Sequence, residues 1–265
     1  MNSSNRLAPF IPLPGLLPCL LALLTVIAAG CATGTGKPNG IASPPPTPPP
    51  PPVVAATPAP VKAAPPAEAL PAPLPPPEGE GWTTLFDGAS LAGWTVTGFA
   101  GHGEVGVQNG LLTLDMGAML TGVNGPTNLA RSDYEITLDA MKVQGSDFFC
   151  GLTFPVANSC CSLIVGGWGG GVVGISSIDG GDASLNETTK FKEFQHKRWY
   201  RIRVRVTAAK IEAWIDKEKV VDLELGEKKI TVRPGEIEAN QPFGICTYQT
   251  SAALCNIQWR PVPAK

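Results

Sequence analysis

Between residues 199 and 206 the chain reads Trp199-Tyr200-Arg201-Ile202-Arg203-Val204-Arg205-Val206, so that apolar and charged side chains alternate. Successive side chains of a β-strand point to opposite faces, and this period of two predicts a strand with one buried face. A short turn at Ala208-Ala209 leads into a second apolar run, Ile211–Ile215. We therefore predict an antiparallel hairpin here.

The same period recurs along the C-terminal two thirds of the chain. Residues 134–140 alternate in the same way, and further short apolar runs lie at 220–223, 243–248 and 253–259. Short strands separated by frequent turns predict an all-β antiparallel sandwich. The only candidate for a helix is the stretch 186–194.

The predicted hairpin also fixes which side chains face each other across it. With the turn at Ala208-Ala209, the pairs are expected to be Arg205 with Glu212, Arg203 with Trp214, and Arg201 with Asp216. Two opposite-charge pairs and one cation–π pair satisfy one another. We favour such a structural ladder over an anion-binding site.

The N-terminal third has a different composition. Residues 1–30 carry the apolar run 16–30 after a region whose only charge is Arg6, which is typical of a secretory signal. The run ends Ile27-Ala28-Ala29-Gly30-Cys31, which resembles the lipobox of bacterial lipoproteins, and Cys31 is then the predicted lipid-attachment residue. An ordinary secretory cleavage site is the alternative. The resemblance implies a protein of the bacterial cell envelope, lipid-anchored at the outer membrane, and the membrane is contacted only through this lipid.

Residues 31–80 are predicted to be a linker. Of the 28 prolines in the chain, 18 lie between Pro38 and Pro77. Such sequence favours a stiff polyproline II spacer that holds a domain away from the membrane. A recognition segment for proline-binding modules is the weaker alternative. The single folded domain is predicted to span residues 81–265.

Charge excludes one class of function. The 20 Lys and Arg are matched by 22 Asp and Glu, giving a formal net charge of −2. A nucleic-acid-binding domain needs a basic face, so a nucleic acid is not expected as a partner.

Two segments at the ends of the predicted domain carry a family resemblance. The opening Gly81-Trp82-Thr83-Thr84-Leu85-Phe86-Asp87-Gly88 through Trp94, the strands from Arg198 to Val221, and the closing run Cys255–Pro261 resemble the 3-keto-disaccharide hydrolase domain family. The resemblance implies a concanavalin-like jelly roll and activity on 3-keto glycosides. The stretch Cys160–Gly171 departs from the family, because it lacks the acidic and histidine residues of the family's sugar site.

Cleavage of a 3-keto glycoside requires a base for the acidified C2 proton, an acid for the leaving oxygen, and stabilisation of the enolate. The chain has only two histidines, His102 and His196, and both lie in polar loops. A histidine-rich metal site is therefore excluded; no cofactor is predicted, and a divalent cation is left open.

Carboxylates and one tryptophan remain as candidates. Asp147 precedes an aromatic pair, while Asp179, Asp182 and Glu187 cluster in a glycine-containing loop that is read as turn structure or as a ligand site. Asp179 or Asp182 is the predicted catalytic base. Trp168, framed by glycines, is the predicted ligand-binding platform, and the alternative is a tryptophan that caps the core.

Five cysteines follow the linker. Cys246 and Cys255 straddle the polar segment 249–252, so they are predicted to face each other across a hairpin and form a disulfide. Cys160 and Cys161 point to opposite faces of one strand and cannot both meet Cys150.

Three functions are compatible with this sequence: a glycan-directed hydrolase or lyase of the resembling family, a non-catalytic lectin-like or laminin-G-like module, and a displayed scaffold. The first is the hypothesis adopted and the second is its alternative. A carbohydrate is the expected ligand or substrate in both.

Overall fold

The structure, a computed structural model, describes residues 69–263 of the chain. The predicted signal segment 1–30, the predicted lipid-attachment residue Cys31 and the linker up to residue 68 lie outside the described residues. No helix within 69–263 is long and apolar enough to cross a membrane.

Within this range the chain forms fifteen β-strands and one short 3₁₀ helix. In chain order the strands are β1 (Thr83–Thr84), β2 (Thr95–Val96), β3 (Val105–Gln108), β4 (Leu111–Leu114), β5 (Leu120–Asn124), β6 (Tyr134–Gly145), β7 (Cys150–Val156), β8 (Ser159–Gly167), β9 (Val172–Ser176), β10 (Lys190–Phe191), β11 (Trp199–Val206), β12 (Lys210–Ile215), β13 (Glu218–Glu224), β14 (Gly244–Tyr248) and β15 (Thr250–Pro261). The 3₁₀ helix, Glu236–Asn240, lies between β13 and β14.

The strands form two antiparallel sheets. The eight-stranded sheet has the order β13-β12-β11-β6-β15-β4-β3, with β1 pairing to the end of β15. The seven-stranded sheet has the order β10-β9-β8-β7-β14-β5-β2. Neighbours in space are often distant in sequence, as in a jelly roll. The predicted all-β antiparallel sandwich is confirmed.

The core lies between the two sheets and follows the period of two. The apolar positions of β11, Tyr200, Ile202, Val204 and Val206, are buried among inward residues of both sheets. Each fully buried aliphatic side chain stabilises the fold by about 1.5–3 kcal/mol relative to leaving it exposed. The apolar positions whose alternation predicts β11 are therefore the residues that this strand contributes to the core.

The predicted arginine ladder is present only in part, and its main partners are on β6. The predicted Arg201–Asp216 pair is wrong, because the Arg201 guanidinium binds Asp139 and the Asp216 carboxylate pairs with Arg198. Arg205 pairs across from Glu212 and Arg203 from Trp214, whose ring centroid lies 4.0 Å from the guanidinium carbon. The shorter contacts, however, run to β6, where the side chains of Glu135 and Asp139 have no exposed surface. Strand β6 is therefore buried on both faces, whereas the sequence predicted one buried face.

This ion cluster surrounds Glu135 with three arginines. Its Oε1 accepts from Arg205 Nε at 2.8 Å and from Arg203 Nη1 at 3.3 Å, and its Oε2 accepts from Arg260 Nε at 2.8 Å. Asp139 receives two hydrogen bonds from Arg201, both of 2.8 Å. The buried carboxylates on the outer face of the eight-stranded sheet are therefore neutralised by arginines of the same sheet.

The end of the predicted linker lies on this same outer face. Leu70 and Leu74 contact a buried cluster that includes Met141 and Trp199. The indole Nε1 of Trp199 donates to the Pro71 carbonyl at 2.9 Å, and other donors reach neighbouring carbonyls: Asn256 Nδ2 reaches Leu74 O at 3.0 Å, and Arg201 Nη2 reaches Pro75 O. We call residues 69–77 the proline strap. Packing onto the domain therefore begins before residue 81, although the strands begin after it.

Two local predictions are wrong. Residues 186–194 form turns and the two-residue strand β10 instead of a helix. The cause is Asn186, whose side-chain Nδ2 donates to three backbone carbonyls and whose Oδ1 accepts from Thr188 N at 2.9 Å. An asparagine that bonds to nearby backbone competes with helix formation.

The predicted Cys246–Cys255 disulfide is also wrong. Strands β14 and β15 do not form a hairpin, because the chain passes from the seven-stranded to the eight-stranded sheet at Gln249. Cys246 lies opposite Gly122 and Gly151, whereas Cys255 lies opposite Asp139. All five cysteines of the described domain are buried free thiols, and burial raises the pKa of Cys150 and of Cys255 to about 12.

Candidate functional site

The outer face of the seven-stranded sheet carries a second apolar cluster, separate from the main core. On β8, Ile164 belongs to this cluster while its neighbours Leu163 and Val165 belong to the core. On β14, Cys246 faces outward and Ile245 faces inward. Strand alternation therefore makes both faces of this sheet apolar, and the outer one is only partly covered by loops.

A cleft opens on this outer face where the tips of β8 and β14 meet the segment before the 3₁₀ helix. It consists of two adjoining hollows of about 190 and 210 Å³. We call it the aromatic cleft. Its lining residues are Met119, Leu120, Asp147, Phe148, Ile164, Trp168, Ser176, Arg233, Pro234, Glu236, Ile237 and Tyr248.

Trp168 stands at the mouth of the cleft. It occupies the turn between β8 and β9, just after a β-bulge, with a left-handed φ of 51°. Its relative exposure is 43%, so it is not a cap on the core. The guanidinium of Arg233 lies 5.9 Å from its ring centroid, and Phe148 stacks on Tyr248 at 5.9 Å between centroids. The side chain is therefore exposed at the cleft, and its role as a ligand platform stays a prediction.

Asp147 fixes the position of this tryptophan. Its Oδ1 accepts from Phe148 N and its Oδ2 accepts from Gly169 N, both at 2.8 Å. The second bond ties the β6–β7 connection to the β8–β9 turn directly after Trp168. Hydrogen bonds from backbone N–H groups to a carboxylate are among the stronger kinds, so the turn is held rigidly at the cleft.

One buried polar group in the cleft lacks a protein partner. Ser176 is 1% exposed, lines the cleft, and its Oγ makes no hydrogen bond with any residue of the described domain. A buried hydroxyl without a partner costs about 1–3 kcal/mol. A ligand hydroxyl that enters the cleft can supply the missing partner.

The structure separates the two predicted catalytic aspartates from the cleft lining. Asp179 Oδ1 accepts from Lys229 N at 2.8 Å, and Asp182 Oδ1 accepts from Ser184 N at 3.0 Å, so both stabilise turns. Asp182 also lies 3.8 Å from Arg233 Nε and thereby touches one residue of the cleft. Asp179 makes no such contact. The turn interpretation of this loop is the one that the contacts support.

Neither histidine lines the aromatic cleft. His102 is exposed and its Nδ1 contacts the carbonyl of Gly103, while His196 Nε2 lies 2.8 Å from Gly145 O. Across residues 69–263 no three His, Cys, Asp or Glu side chains are grouped so as to hold a metal ion. The cleft carboxylates do not fit a divalent cation either, because both oxygens of Asp147 are held by backbone N–H groups and Glu236 stands by itself.

Several residues of the cleft were not found by the sequence reasoning. Arg233 and Tyr248 are distant from Trp168 in sequence and meet it only through the tertiary fold, whereas Ser176 ends the neighbouring strand β9. The one available signal was Asp147 beside the aromatic pair that begins at Phe148, and this residue does lie at the site. Nothing in the local sequence marks the others.

The fold and the cleft together define an antiparallel β-sandwich with an aromatic cleft on one outer face. Residues 81–260 match the family model of the 3-keto-alpha-glucoside-1,2-lyase-like domain, so the chain belongs to this family. The match bears out the resemblance seen in the opening and closing segments. The comparison with curated proteins returned no match.

Solved structures with a similar fold are distant in sequence. A protein of Parabacteroides distasonis described as a candidate glycosyl hydrolase is 14% identical, with 69% of this chain and 95% of that chain covered and a TM-score of 0.43. The carbohydrate-binding module CBM66 of Bacillus subtilis is 13% identical, with 63% and 95% covered and a TM-score of 0.45. Domain 4 of the Geobacillus stearothermophilus arabinanase AbnA, solved with arabinotriose, is 14% identical, with 65% and 84% covered and a TM-score of 0.42.

Proposed function

We propose that this domain binds a carbohydrate in the aromatic cleft, with Trp168 as the platform for the apolar face of a sugar ring. The observation that carries the proposal is an exposed tryptophan held at the mouth of a cleft by Asp147. Ligand sites typically combine apolar walls with a few placed polar groups. Here Arg233, Glu236 and the unpartnered Ser176 hydroxyl supply those groups.

The backbone at Trp168 supports this assignment. A tryptophan with a left-handed φ is strained relative to glycine, and such strain clusters at ligand clamps and active sites. Glycines flank the residue on both sides. A glycine in place of Trp168 itself would adopt this conformation without strain. A bulky aromatic at this position, pointing away from the core, is better explained by a ligand than by stability.

The test is a binding comparison between wild type and Trp168→Ala. A glycan array identifies an oligosaccharide ligand, and titration calorimetry then measures its dissociation constant. We expect at least a tenfold weaker affinity for the variant, because stacking contributes roughly 1–3 kcal/mol by analogy with base–aromatic pairs. Leu185→Ala removes another exposed apolar side chain, 79% exposed and outside the cleft, and serves as the control.

The unfolding free energy is measured for the same variants. It should change by no more than about 0.5 kcal/mol in either, as is usual for surface substitutions. Unchanged affinity of Trp168→Ala together with a large loss of stability would show that this tryptophan serves the fold, and the proposal would be rejected.

A second candidate is cleavage of 3-keto glycosides, which family membership favours. The ketone acidifies the neighbouring C2 hydrogen, so the protein must supply a base there and a proton for the leaving oxygen. Glu236 is the carboxylate best placed for the base, because it lines the cleft and no hydrogen bond or ion pair occupies it within the described domain. The oxygens of Asp147 are already held by backbone N–H groups.

This candidate is tested with 3-keto-glucosides, with and without added divalent cation, by following release of the leaving group. Glu236→Gln should abolish turnover, whereas Asp179→Asn should retain it, since Asp179 is outside the cleft. Asp182→Asn should lower turnover without abolishing it, because Asp182 contacts Arg233 of the cleft but does not line the cleft itself. Loss of turnover in Asp179→Asn alone would restore the base assignment made from sequence. Absence of turnover in wild type, with binding intact, would leave the carbohydrate-binding module.

We also propose that the protein is exported and lipid-anchored at Cys31. The support is the apolar segment that ends in Ile27-Ala28-Ala29-Gly30-Cys31. Cys31→Ser should abolish lipid labelling and move the protein to the soluble fraction of the envelope. Unchanged membrane partition of this variant would refute the anchor.

A further inference from the structure

A larger hollow adjoins the β8–β9 turn at Gly169, Gly170 and Gly171. Its volume is about 730 Å³, and it opens between that turn, the β6–β7 connection and the segment after β10. We call it the lysine cavity. Its lining includes Lys142, Phe191, Lys192, Glu193, Gln195 and His196.

Lys142 is a buried cation without a counter-ion. The residue is 4% exposed, yet its side chain makes no hydrogen bond and no ion pair with any residue of the described domain. Its closest aromatic contact is Phe149, whose ring centroid lies 5.9 Å from Nζ. The stem of the side chain is buried, while its ammonium group has no ion-pair partner among the described residues and can accept one from outside the domain.

The ammonium group is open to the cavity. A side-chain carbon at Gly170 would lie only 3.3 Å from Lys142 Nζ, and the glycine therefore leaves the approach to Nζ clear. Gly170 has a φ of 107°, a region that favours glycine, and a carbon there would also meet Ser146 O at 2.7 Å. The turn that presents Trp168 to one cleft thus leaves Lys142 accessible in the other.

The remaining charges around the cavity do not neutralise Lys142. Lys192 is paired with Glu218 at 2.7 Å, and His196 is bound to Gly145 O. Glu193 is exposed at the rim, and Asp147 exerts an electrostatic attraction from beyond ion-pair distance. Burial lowers the pKa of Lys142, and Asp147 opposes this shift only in part. An anion that enters the cavity therefore meets an ammonium group that has no ion-pair partner among the described residues.

The lining of the cavity also includes an aromatic side chain. Phe191, on β10, is 81% exposed and lines the cavity with Gln195 and His196. An aromatic face together with an unpaired cation suits a sugar ring that bears a carboxylate. We propose that the lysine cavity binds an acidic saccharide, such as a hexuronate, with its carboxylate on Lys142 and its ring against Phe191. This inference rests on the proposed carbohydrate-binding function and names the ligand class for a second subsite.

The experiment titrates the full chain with sodium glucuronate, glucose and sodium acetate, and follows the backbone amide shifts of residues 169–171 by NMR. Glucuronate should bind at least tenfold more tightly than glucose or acetate, because it alone offers both the carboxylate and the ring. Lys142→Met should remove this preference. Lys228→Met, which removes the same charge from the exposed pair with Glu187, should retain it. Lys142→Gln repeats the test with a polar side chain.

The outcomes separate this inference from the proposed function. Equal affinities for glucuronate and glucose in wild type, or an unchanged preference in both Lys142 variants, overturn the inference without touching Trp168. Equal affinities for glucuronate and acetate overturn the assignment of a saccharide ligand and show that the cavity binds simple anions. Trp168→Ala should leave the glucuronate affinity unchanged, so loss of oligosaccharide binding in that variant alone reports on the aromatic cleft.

Discussion

The two sheets of this sandwich differ in whether the polar groups on their outer faces have partners. On the eight-stranded sheet, Glu135 and Asp139 are fully buried beneath arginines, and the proline strap lies over the neighbouring apolar side chains. On the seven-stranded sheet, Trp168 is exposed and the Ser176 hydroxyl is buried without a partner. One face is closed by its own side chains, and the other is left incomplete.

The difference shows where function is most readily placed on a sandwich. A satisfied ion cluster gains nothing from a ligand, whereas unpartnered groups in a cleft gain a hydrogen bond or a counter-ion when one binds. Both the aromatic cleft and the lysine cavity flank the same β8–β9 turn. The comparison therefore predicts that substitutions on the closed face change stability, and that substitutions near this turn change binding.

The largest effect is expected for Glu135→Gln. The variant removes the charge that three arginines share in a buried position, and breaking a buried ion pair by removing one partner typically costs about 3–5 kcal/mol. Denaturant unfolding measures the change. Asp222→Asn, in the exposed pair with Lys210, is the control and should cost much less, because solvent screens exposed ion pairs. A similarly small loss of unfolding free energy in both variants would show that the buried ion cluster around Glu135 does not stabilise the eight-stranded sheet.

A smaller effect is expected where the strap is held. Trp199→Phe removes the indole donor to Pro71 O and should lower the unfolding free energy by about 1–2 kcal/mol. It should also speed cleavage within residues 69–77 by elastase. Trp214→Phe on the same sheet keeps an aromatic partner for Arg203 and should leave strap cleavage unchanged. Equal protection of the strap in both variants would show that it is not held through Trp199.

Lys142→Met should stabilise the protein modestly at neutral pH. Burial lowers the pKa of this lysine in the folded state below its value in the unfolded state. Between these two pKa values the unfolded state binds more protons, so the stability of the wild type rises as the pH increases through this interval. The gain from the methionine is present below the folded pKa and fades as the pH approaches the usual lysine value. Thermal unfolding at pH 7 and at pH 11 gives the two points. A destabilised variant at pH 7 would mean that the ammonium is already satisfied.

The smallest stability change is expected for Ser176→Ala. The hydroxyl is buried without a partner, so its removal should alter the unfolding free energy by no more than about 0.5 kcal/mol, or raise it. Oligosaccharide affinity should nevertheless fall. Ser162→Ala, whose hydroxyl is paired with Thr153 at 2.8 Å, should lower stability without altering binding. A clear loss of stability in Ser176→Ala would show that its hydroxyl already has a partner.

The strands and the hairpin register were predictable because they depend on neighbours in sequence. The alternation in residues 199–206 gave β11, and the turn at Ala208-Ala209 gave its pairing with β12. The disulfide prediction failed at the same level of reasoning, because Cys246 and Cys255 are close in sequence but belong to different sheets. No local pattern distinguishes a hairpin from a crossing between sheets at Gln249.

The sequence by itself determined the all-β fold, the family and the position of Trp168 in a glycine-rich turn, since each follows from periodicity or from a contiguous motif. Only the tertiary structure decided which charged residues became buried partners, and that Asp179 and Asp182 stabilise turns outside the cleft lining. It also brought Arg233 and Tyr248 to Trp168, and left Lys142 without a counter-ion among the described residues. The physical reason is that a sandwich builds its sites from strands remote in sequence, so the partner of a charge or a hydroxyl is set by the order of strands in the sheet.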